Sequence, residues 1–328
     1  MDWKDKSVLI TGGTGSFGNK FVEVMLHSFL PRRLIVFSRD ELKQHEMCRV
    51  YSDSTGSPMR YFIGDVRDRK RLYRAFSGVD IVVHAAALKQ VPTCEYNPIE
   101  AVRTNIDGAV NVIDAAIDSG VERVIAISSD KAVQPINLYG ATKLVMEKLF
   151  IQANVYTGQQ KPRFSCVRYG NVVGSRGSVI PLFFEQKKKK KITITDERMT
   201  RFWITLEQGV RFVIDCISRM HGGEVFIPKI PSMKITDLAD IIAPKAEREV
   251  IGIRPGEKVN EILLTEEDSR HAQEFDNYFV IEPEHSFWGK DNLQGGKPLP
   301  DGFKYTSDSN SWWLTGEELQ RMVGELSE

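Results

Sequence analysis

Short apolar runs separated by longer amphipathic stretches set the rhythm of the first half of the chain. The runs are SVLIT (7–11), RLIVFS (33–38), YFIGDV (61–66), DIVVHAA (80–86), RVIAISS (123–129) and FSCVRYGNVVG (164–174). Continuous runs rich in β-branched residues suit strands buried on both faces, as in a parallel sheet covered by helices. The segments between them carry helical spacing. The clearest is AVRTNIDGAVNVIDAAIDSG from Ala101, whose closing Gly120 suits a helix C-terminus. Repeated βα units predict an α/β fold, a doubly wound parallel sheet of the Rossmann type.

Beyond Gly174 the texture changes. Pro181, Pro228, Pro231, Pro244 and Pro255 cut the chain into short pieces. The expected organisation is a dinucleotide-binding domain over 1–174 and, over 175–328, mainly a smaller substrate lobe and a tail. The chain is expected to return to the sheet around 203–230, where VFIPK from Val225 reads as a returning strand. The tail from Asp291 is rich in Gly, Pro, Asp and Ser and ends in the helical run TGEELQRMVGEL. No internal repeat or low-complexity linker is visible.

Composition narrows the class without naming it. With 328 residues, 41% hydrophobic and 27% charged, the chain suits one large or two modest globular domains. Lys plus Arg and Asp plus Glu balance at 44 each, so nothing favours nucleic acid or an anionic membrane as partner. The basic run at Lys187 to Lys191 reads as a solvated helix end and loop. Cys48, Cys94, Cys166 and Cys216 have no metal-ligand spacing, and the six histidines include no HExxH pair, so no metal is expected. With no 18-residue apolar run and no charged-then-apolar leader, the expectation is a cytoplasmic protein with reduced thiols.

TGGTGSFG (11–18) follows the first strand and opens the first helix. Gly12, Gly15 and Gly18 suit a tight turn, a backbone that approaches a pyrophosphate, and a helix packed closely on a strand. Thr14, Ser16 and Phe17 complete that loop, and the helix N-terminus offers free N–H groups and the positive end of its dipole. The second strand ends in Ser38 and Arg39, with Asp40 afterwards, where an NAD site usually ends in an acid. A hydroxyl and a guanidinium suit a 2′-phosphate, and Lys43 adds charge from the next turn, so NADP is the expected cofactor. The plainer reading, Arg39 as a surface charge, leaves NAD open. Asp65 and Val66 are placed to meet the adenine. Ala85 in HAAA lets the backbone come close to the cofactor, and Thr104 lies on the following helix.

The densest chemistry lies in ISSDKAVQPINLYGATK (127–143). Tyr139 and Lys143 stand four residues apart, on one helical face, about ten residues after Ser129 at a strand end. Together with the glycine loop, this pattern resembles the extended short-chain dehydrogenase/reductase family. The nearby ammonium and a nicotinamide charge favour the phenolate, letting Tyr139 act as base toward a sugar hydroxyl while Lys143 holds the nicotinamide ribose. Asp130 and Lys131 are extra. They suit an acid at the C6 hydroxyl and a base at C5 of a 4-keto hexose, provided burial and cations lower the lysine's pKa. They equally suit an ordinary ion pair at a strand end.

Longer motifs shift that balance. SRDELKQ, HAAALKQVP, EYNP, SSDKA, LYGATK, RYGNVVGSRGSV, RMTRFWIT, GGEVFIPKIPSMKITDLA and GIRPGEK together resemble the inverting UDP-N-acetylglucosamine 4,6-dehydratases of pseudaminic acid and capsular sugar synthesis. The resemblance implies inversion at C5, with Ser129, Asp130, Lys131, Tyr139 and Lys143 as the catalytic set. It also implies that Lys89 meets both cofactor and substrate, and that Val172 meets the cofactor. Asn171, Val179, Thr195, Arg254 and Glu257 would line the UDP-sugar pocket. The guanidinium of Arg254 suits a diphosphate, while Glu257 suits ribose hydroxyls or, more plainly, an ion pair with Arg254 three residues before it. Arg201 is a basic candidate without a role. The chain departs from the family in Gln90, where a histidine is usual, and in Ser129, where threonine is common. The resemblance further implies a homo-oligomer, hexamer or dimer. The alternatives are a UDP-sugar 4-epimerase, which needs Tyr139 and Lys143 but not Asp130 or Lys131, and a non-catalytic NADP-binding sensor.

Overall fold

All six apolar runs of the first half supply strands, five of them covered on both faces and the edge strand, Met59–Ile63, only in part. In the computed structural model, which describes residues 1–157, 161–174, 179–283, 293 and 295–324, they form β1 (Ser7–Thr11), β2 (Arg33–Ser38), β3 (Met59–Ile63), β4 (Ile81–His84), β5 (Arg123–Ile127) and β6 (Arg163–Val167). Every residue of β1 and β4 is buried, with none of the alternation of a half-exposed sheet. The six pair in parallel in the order 3-2-1-4-5-6. The order therefore reverses between β1 and β4, which opens a crevice at their carboxyl ends. The helices α1 (Ser16–Val24) and α2 (Glu41–Val50) follow β1 and β2.

The sheet continues past β6. Val225–Pro228 adds in parallel, and Tyr278–Ile281, Ala272–Glu274 and Lys297–Pro298 follow antiparallel, making ten strands among the described residues. A separate three-stranded sheet joins Asn171–Val172, Thr200–Ile204 and Ser232–Lys234 beside the crevice. A second apolar core, with Phe183, Trp203 and Leu238 among its members, lies under this lobe.

Two runs differ from the sequence expectation. FSCVRYGNVVG is not one strand: β6 ends at Val167, and Asn171–Val172 belongs to the other sheet. Arg168 interrupts the run, because its guanidinium turns inward onto Glu147 and Asp268. The helix expected from Ala101 starts at Pro98 and passes through a π-helical turn, Arg103–Asp107, before Gly108–Asp118. That turn carries Asn105 inward. Its amide accepts from the Leu88 N–H (2.8 Å) and donates to Leu88 O (2.9 Å) and Thr142 Oγ1 (2.9 Å), tying the AAALK loop to the YGATK helix. π turns often occur at functional sites.

Lys187 to Lys191 are exposed, spanning the end of helix Val179–Lys188 and the start of strand Lys191–Ile194. Residues 175–178 of the RYGNVVGSRGSV motif and the last two residues of TGEELQRMVGEL lie outside the described residues. Among the described residues no helix is long and apolar enough to cross a membrane.

Candidate active site

A cavity of about 1120 Å³ runs from the β1–α1 turn, past the ends of β4 and β5, to the smaller lobe. Every site residue read from the sequence lines it except Asp130, which is fully buried behind the wall. Residues far apart in sequence thus meet around one space.

At the dinucleotide end, Gly12 has φ +67°, and a Cβ there would sit 2.9 Å from the Ala86 backbone. Only glycine allows this turn to press against the end of β4. Gly15 precedes α1 and supplies no side-chain cap, so the first turn, with Ser16, Phe17 and Gly18, meets the cavity by its backbone. Thr14 Oγ1 and Ser38 Oγ are 2.7 Å apart. The buried Thr104 hydroxyl has no partner among the described residues, so an acceptor or donor is wanted at this wall. Glycine turn, uncapped helix and unpartnered hydroxyl fit a dinucleotide.

The specificity corner is ionic. Asp40 caps α2, its carboxylate accepting from the Lys43 N–H (3.0 Å) and pairing with Lys43 Nζ (2.6 Å). Arg39 is half exposed, with one long contact of 3.5 Å to Asp65. Burial pushes the Asp65 carboxyl up, but hydrogen bonds from Arg67 and the charge of Arg39 leave it below the usual carboxylate range. Asp65 is engaged chiefly by Arg67, at 2.7 and 2.9 Å, which leaves Arg39 loosely held. Val66, Ala85 and Val172 continue the wall.

Deeper in, the chain after β5 makes one tight turn, Asp130–Ala132, capped by Ser129. Ser129 Oγ donates to Asp130 Oδ1 (2.7 Å) and accepts from the Lys131 N–H (3.3 Å). Lys131 Nζ lies 3.0 Å from Asp130 Oδ1, 3.2 Å from Asn171 Oδ1 and 3.6 Å from Glu261 Oε1. Helix Leu138–Thr157 packs directly on this turn: a Cβ on Gly140 would come 2.1 Å from Lys131 O. That close approach sets Tyr139 and Lys143 beside the Asp130–Lys131 pair. Both are buried, and Lys143 Nζ donates to Ile127 O (2.7 Å).

The electrostatics bear on two readings. The base reading of Lys131 is conditional on burial and nearby cations lowering its pKa. Burial and Arg201 do pull it down, but the carboxylates of Asp130 and Glu261 prevail and hold it above the ordinary lysine value. Tyr139 was expected to favour the phenolate. Burial instead pushes it up to about 12, only partly offset by the Lys131 charge. Lys143 is pulled down to about 8 by burial, only partly offset by its neighbours Cys166 and Glu147. Lys89 is lowered by burial and by Lys131.

At the lobe end, Val179 opens helix Val179–Lys188 and Thr195 follows strand Lys191–Ile194. Arg254 and Glu257 are 3.9 Å apart, the plainer reading of that pair, yet both also line the cavity. Arg201 is buried; it donates to the carbonyls of Thr200 (2.7 Å), Val259 (2.9 Å) and Lys258 (3.0 Å). The residue that the sequence did not single out is Glu261. It follows GIRPGEK in a segment with no helical or alternating period, so only its place just before the apolar ILL run marks it.

A profile of the family described as "Polysaccharide biosynthesis protein" matches residues 8–283. The UDP-N-acetylglucosamine 4,6-dehydratase (inverting) of Campylobacter jejuni is 53% identical, over 97% of both chains. The UDP-glucose 4-epimerase of Rickettsia conorii is 44% identical, over 97% of this chain and 95% of the other. The crystal structure of Pen from Bacillus thuringiensis superposes with a TM-score of 0.90 at 40% identity, over 100% of this chain and 99% of that one.

Proposed function

From the premise that this chain belongs to the polysaccharide biosynthesis family, on the extended short-chain dehydrogenase/reductase fold, we propose that it is a configuration-inverting UDP-N-acetylglucosamine 4,6-dehydratase, a hydro-lyase. Its product would be a UDP-2-acetamido-2,6-dideoxy-hexos-4-ulose for pseudaminic acid or capsular glycan synthesis. NADP is the cofactor of this reading; when bound it accepts hydride from C4 and returns it at C6. Gly12, Gly15 and the first turn of α1 would hold its pyrophosphate, Ser38 and Arg39 its 2′-phosphate, and Lys143 the nicotinamide ribose.

One observation carries the reading: the hydrogen-bonded Asp130–Lys131 pair sits directly beside the Tyr139 helix. Hydride transfer at C4 requires that Tyr139 take the hydroxyl proton, which it does as the phenolate that a bound nicotinamide charge and the Lys131 and Lys143 ammonium groups would favour over its buried neutral form. Eliminating water requires an acid and a base as well. As an ammonium–carboxylate pair, Asp130 and Lys131 hold the right number of protons in the wrong places. One proton moved across the 3.0 Å hydrogen bond makes a carboxylic acid and a free amine. Filling the cavity with substrate favours that shift, because it expels water and penalises two separated charges. Lys131 then takes the C5 proton, which the new C4 ketone has made acidic. Asp130, behind the wall, protonates the C6 hydroxyl through Ser129, whose hydroxyl lines the cavity 2.7 Å from Asp130 Oδ1, and the C6 oxygen leaves as water. Inversion follows when C5 takes a solvent-derived proton on the face opposite Lys131, while Lys131 keeps the proton it removed.

The UDP-glucose 4-epimerase of Rickettsia conorii keeps a second reading in view, because C4 epimerisation uses Tyr139 and Lys143 alone. Incubation with UDP-N-acetylglucosamine in deuterated water, read by mass spectrometry and NMR, decides between them. The expected product has lost one water, carries deuterium at C5 and has inverted configuration there. Unchanged mass supports epimerisation, and retained C5 configuration overturns the inverting claim.

A further inference from the structure

Glu261 is a buried carboxylate with no task in that scheme. It immediately precedes strand Ile262–Leu264, and its side chain is 4% exposed. Oε1 faces Lys131 Nζ at 3.6 Å and Arg201 Nε at 3.8 Å, and Oε2 is buried with no hydrogen-bond partner among the described residues. The backbone fixes its place. Glu261 N–H donates to Ser307 Oγ (2.9 Å), and Ser307 N–H donates back to Glu261 O (2.9 Å). Arg201 has committed its guanidinium to three backbone carbonyls. Lys131 is the partner left with freedom to respond: its Nζ faces the cavity and is held by side chains alone.

Resting on the reading of Lys131 as the C5 base, we propose that Glu261 is its positioning residue. The carboxylate holds Nζ against the cavity wall near Asn171 and keeps its proton in place until substrate enters. The charged and titratable groups acting on or beside Lys131 are Asp130, Glu261, Arg201, Lys258, Lys89 and Tyr139. Asp130 and Glu261 are the two carboxylates of that set. Glu261 is also the one that belongs to the 254–261 segment, the segment that contributes Arg254 and Glu257 to the substrate end. A single stretch of chain thus lines the substrate end of the cavity with one end and meets the base with the other.

The test compares the full-length wild type with Glu261→Gln and Glu261→Asp on UDP-N-acetylglucosamine. Expected for Glu261→Gln is unchanged cofactor content, C4 oxidation within about threefold by reduced-nicotinamide absorbance, and a fall of about 10–100-fold in C5 deuterium exchange and water loss. Removing the negative charge also lets Lys131 shed its proton more readily, so the acidic limb of kcat moves to lower pH by about one unit. Glu261→Asp keeps the charge and recovers most of the exchange. An unmoved limb with unchanged exchange overturns the proposal. So does a parallel fall in cofactor content, oxidation and melting temperature, the mark of a purely structural residue. If Glu261→Gln does not fold, Glu261→Asp decides, since a shorter carboxylate must still slow C5 exchange more than C4 oxidation. Failure of the underlying reading is separate: the wild type itself would then release no water.

Discussion

Asp130 Oδ1 receives two hydrogen bonds, from Lys131 Nζ at 3.0 Å and from Ser129 Oγ at 2.7 Å, while Asp130 Oδ2 is buried with no partner among the described residues. Oδ1 is thus the oxygen that exchanges a proton with the base and touches Ser129 at the cavity wall. Lys131→Ala is expected to oxidise C4 and accumulate reduced nicotinamide, with dehydration slowed by about 10²–10⁴-fold, the range of general base catalysis. Asp130→Asn keeps the shape but can neither take the proton of Lys131 nor deliver one to C6, so C5 exchange and water loss should both slow by a similar factor. Stopped-flow absorbance with product mass spectrometry measures both variants. Normal dehydration by Lys131→Ala would remove it as the base.

On the NADP reading, Arg39 would carry the cofactor preference. Its contact with Asp65 is long and more than half of its side chain is exposed, so a 2′-phosphate competes with little standing against it. A charge-assisted hydrogen bond contributes roughly 1.5–3 kcal/mol. Arg39→Ala is therefore expected to weaken NADP binding by about 10–100-fold and to leave NAD binding within about threefold. Titration of the apo-protein with both dinucleotides measures this. Equal losses for the two would return Arg39 to the role of a plain surface charge.

The buried Lys143, lowered to about 8, gives a pH signature of opposite sign in activity and stability. If its ammonium holds the cofactor ribose, activity falls as pH rises through about 8. In the unfolded chain the lysine keeps its proton to its ordinary value of 10.5. Between these values the unfolded state binds more protons, so the contribution of Lys143 to stability grows with rising pH, by at most about 3 kcal/mol. A kcat profile and urea unfolding across this window test both. Lys143→Met should flatten the stability trend.

How much of this was legible beforehand depended on locality. β1 and β2 coincide with SVLIT and RLIVFS, because their signal is a continuous apolar run flanked by polar residues. Gly12, Ser38, Asp65, Ala85 and Ser129 were equally visible, since each ends or follows a strand in a short motif, whereas Val179, Thr195, Arg254 and Glu257 were marked only by the family resemblance. Illegible were features set by distant partners. Arg168 splits an apparent strand because Glu147 and Asp268 await it from elsewhere in the chain. Lys131 holds its proton more tightly than an ordinary lysine because its neighbour Asp130, together with Glu261 from 130 residues away, offsets the desolvation, and only the first of these partners is visible locally.

Arg168 joins the two halves of the molecule. It bonds Glu147 on the Tyr139 helix at 2.7 and 3.1 Å, and reaches Leu263 O at 2.9 Å and Asp268 at 3.2 Å in the lobe segment. Glu147 and Arg168 are nearly inaccessible, 2% and 6% exposed, so removing one partner strands a buried charge. Glu147→Gln is expected to cost about 3 kcal/mol in denaturant unfolding. Asp268→Asn should cost well under half as much, because its side chain is 28% exposed and solvent screens it. Because Glu147 also raises Lys143, Glu147→Gln should shift the alkaline limb of activity to lower pH. The combined change Glu147→Gln with Arg168→Met removes the stranded guanidinium and should recover part of the lost stability without restoring that limb. A double variant as unstable as Glu147→Gln alone would mean that the cost arises from packing and not from an unpaired charge.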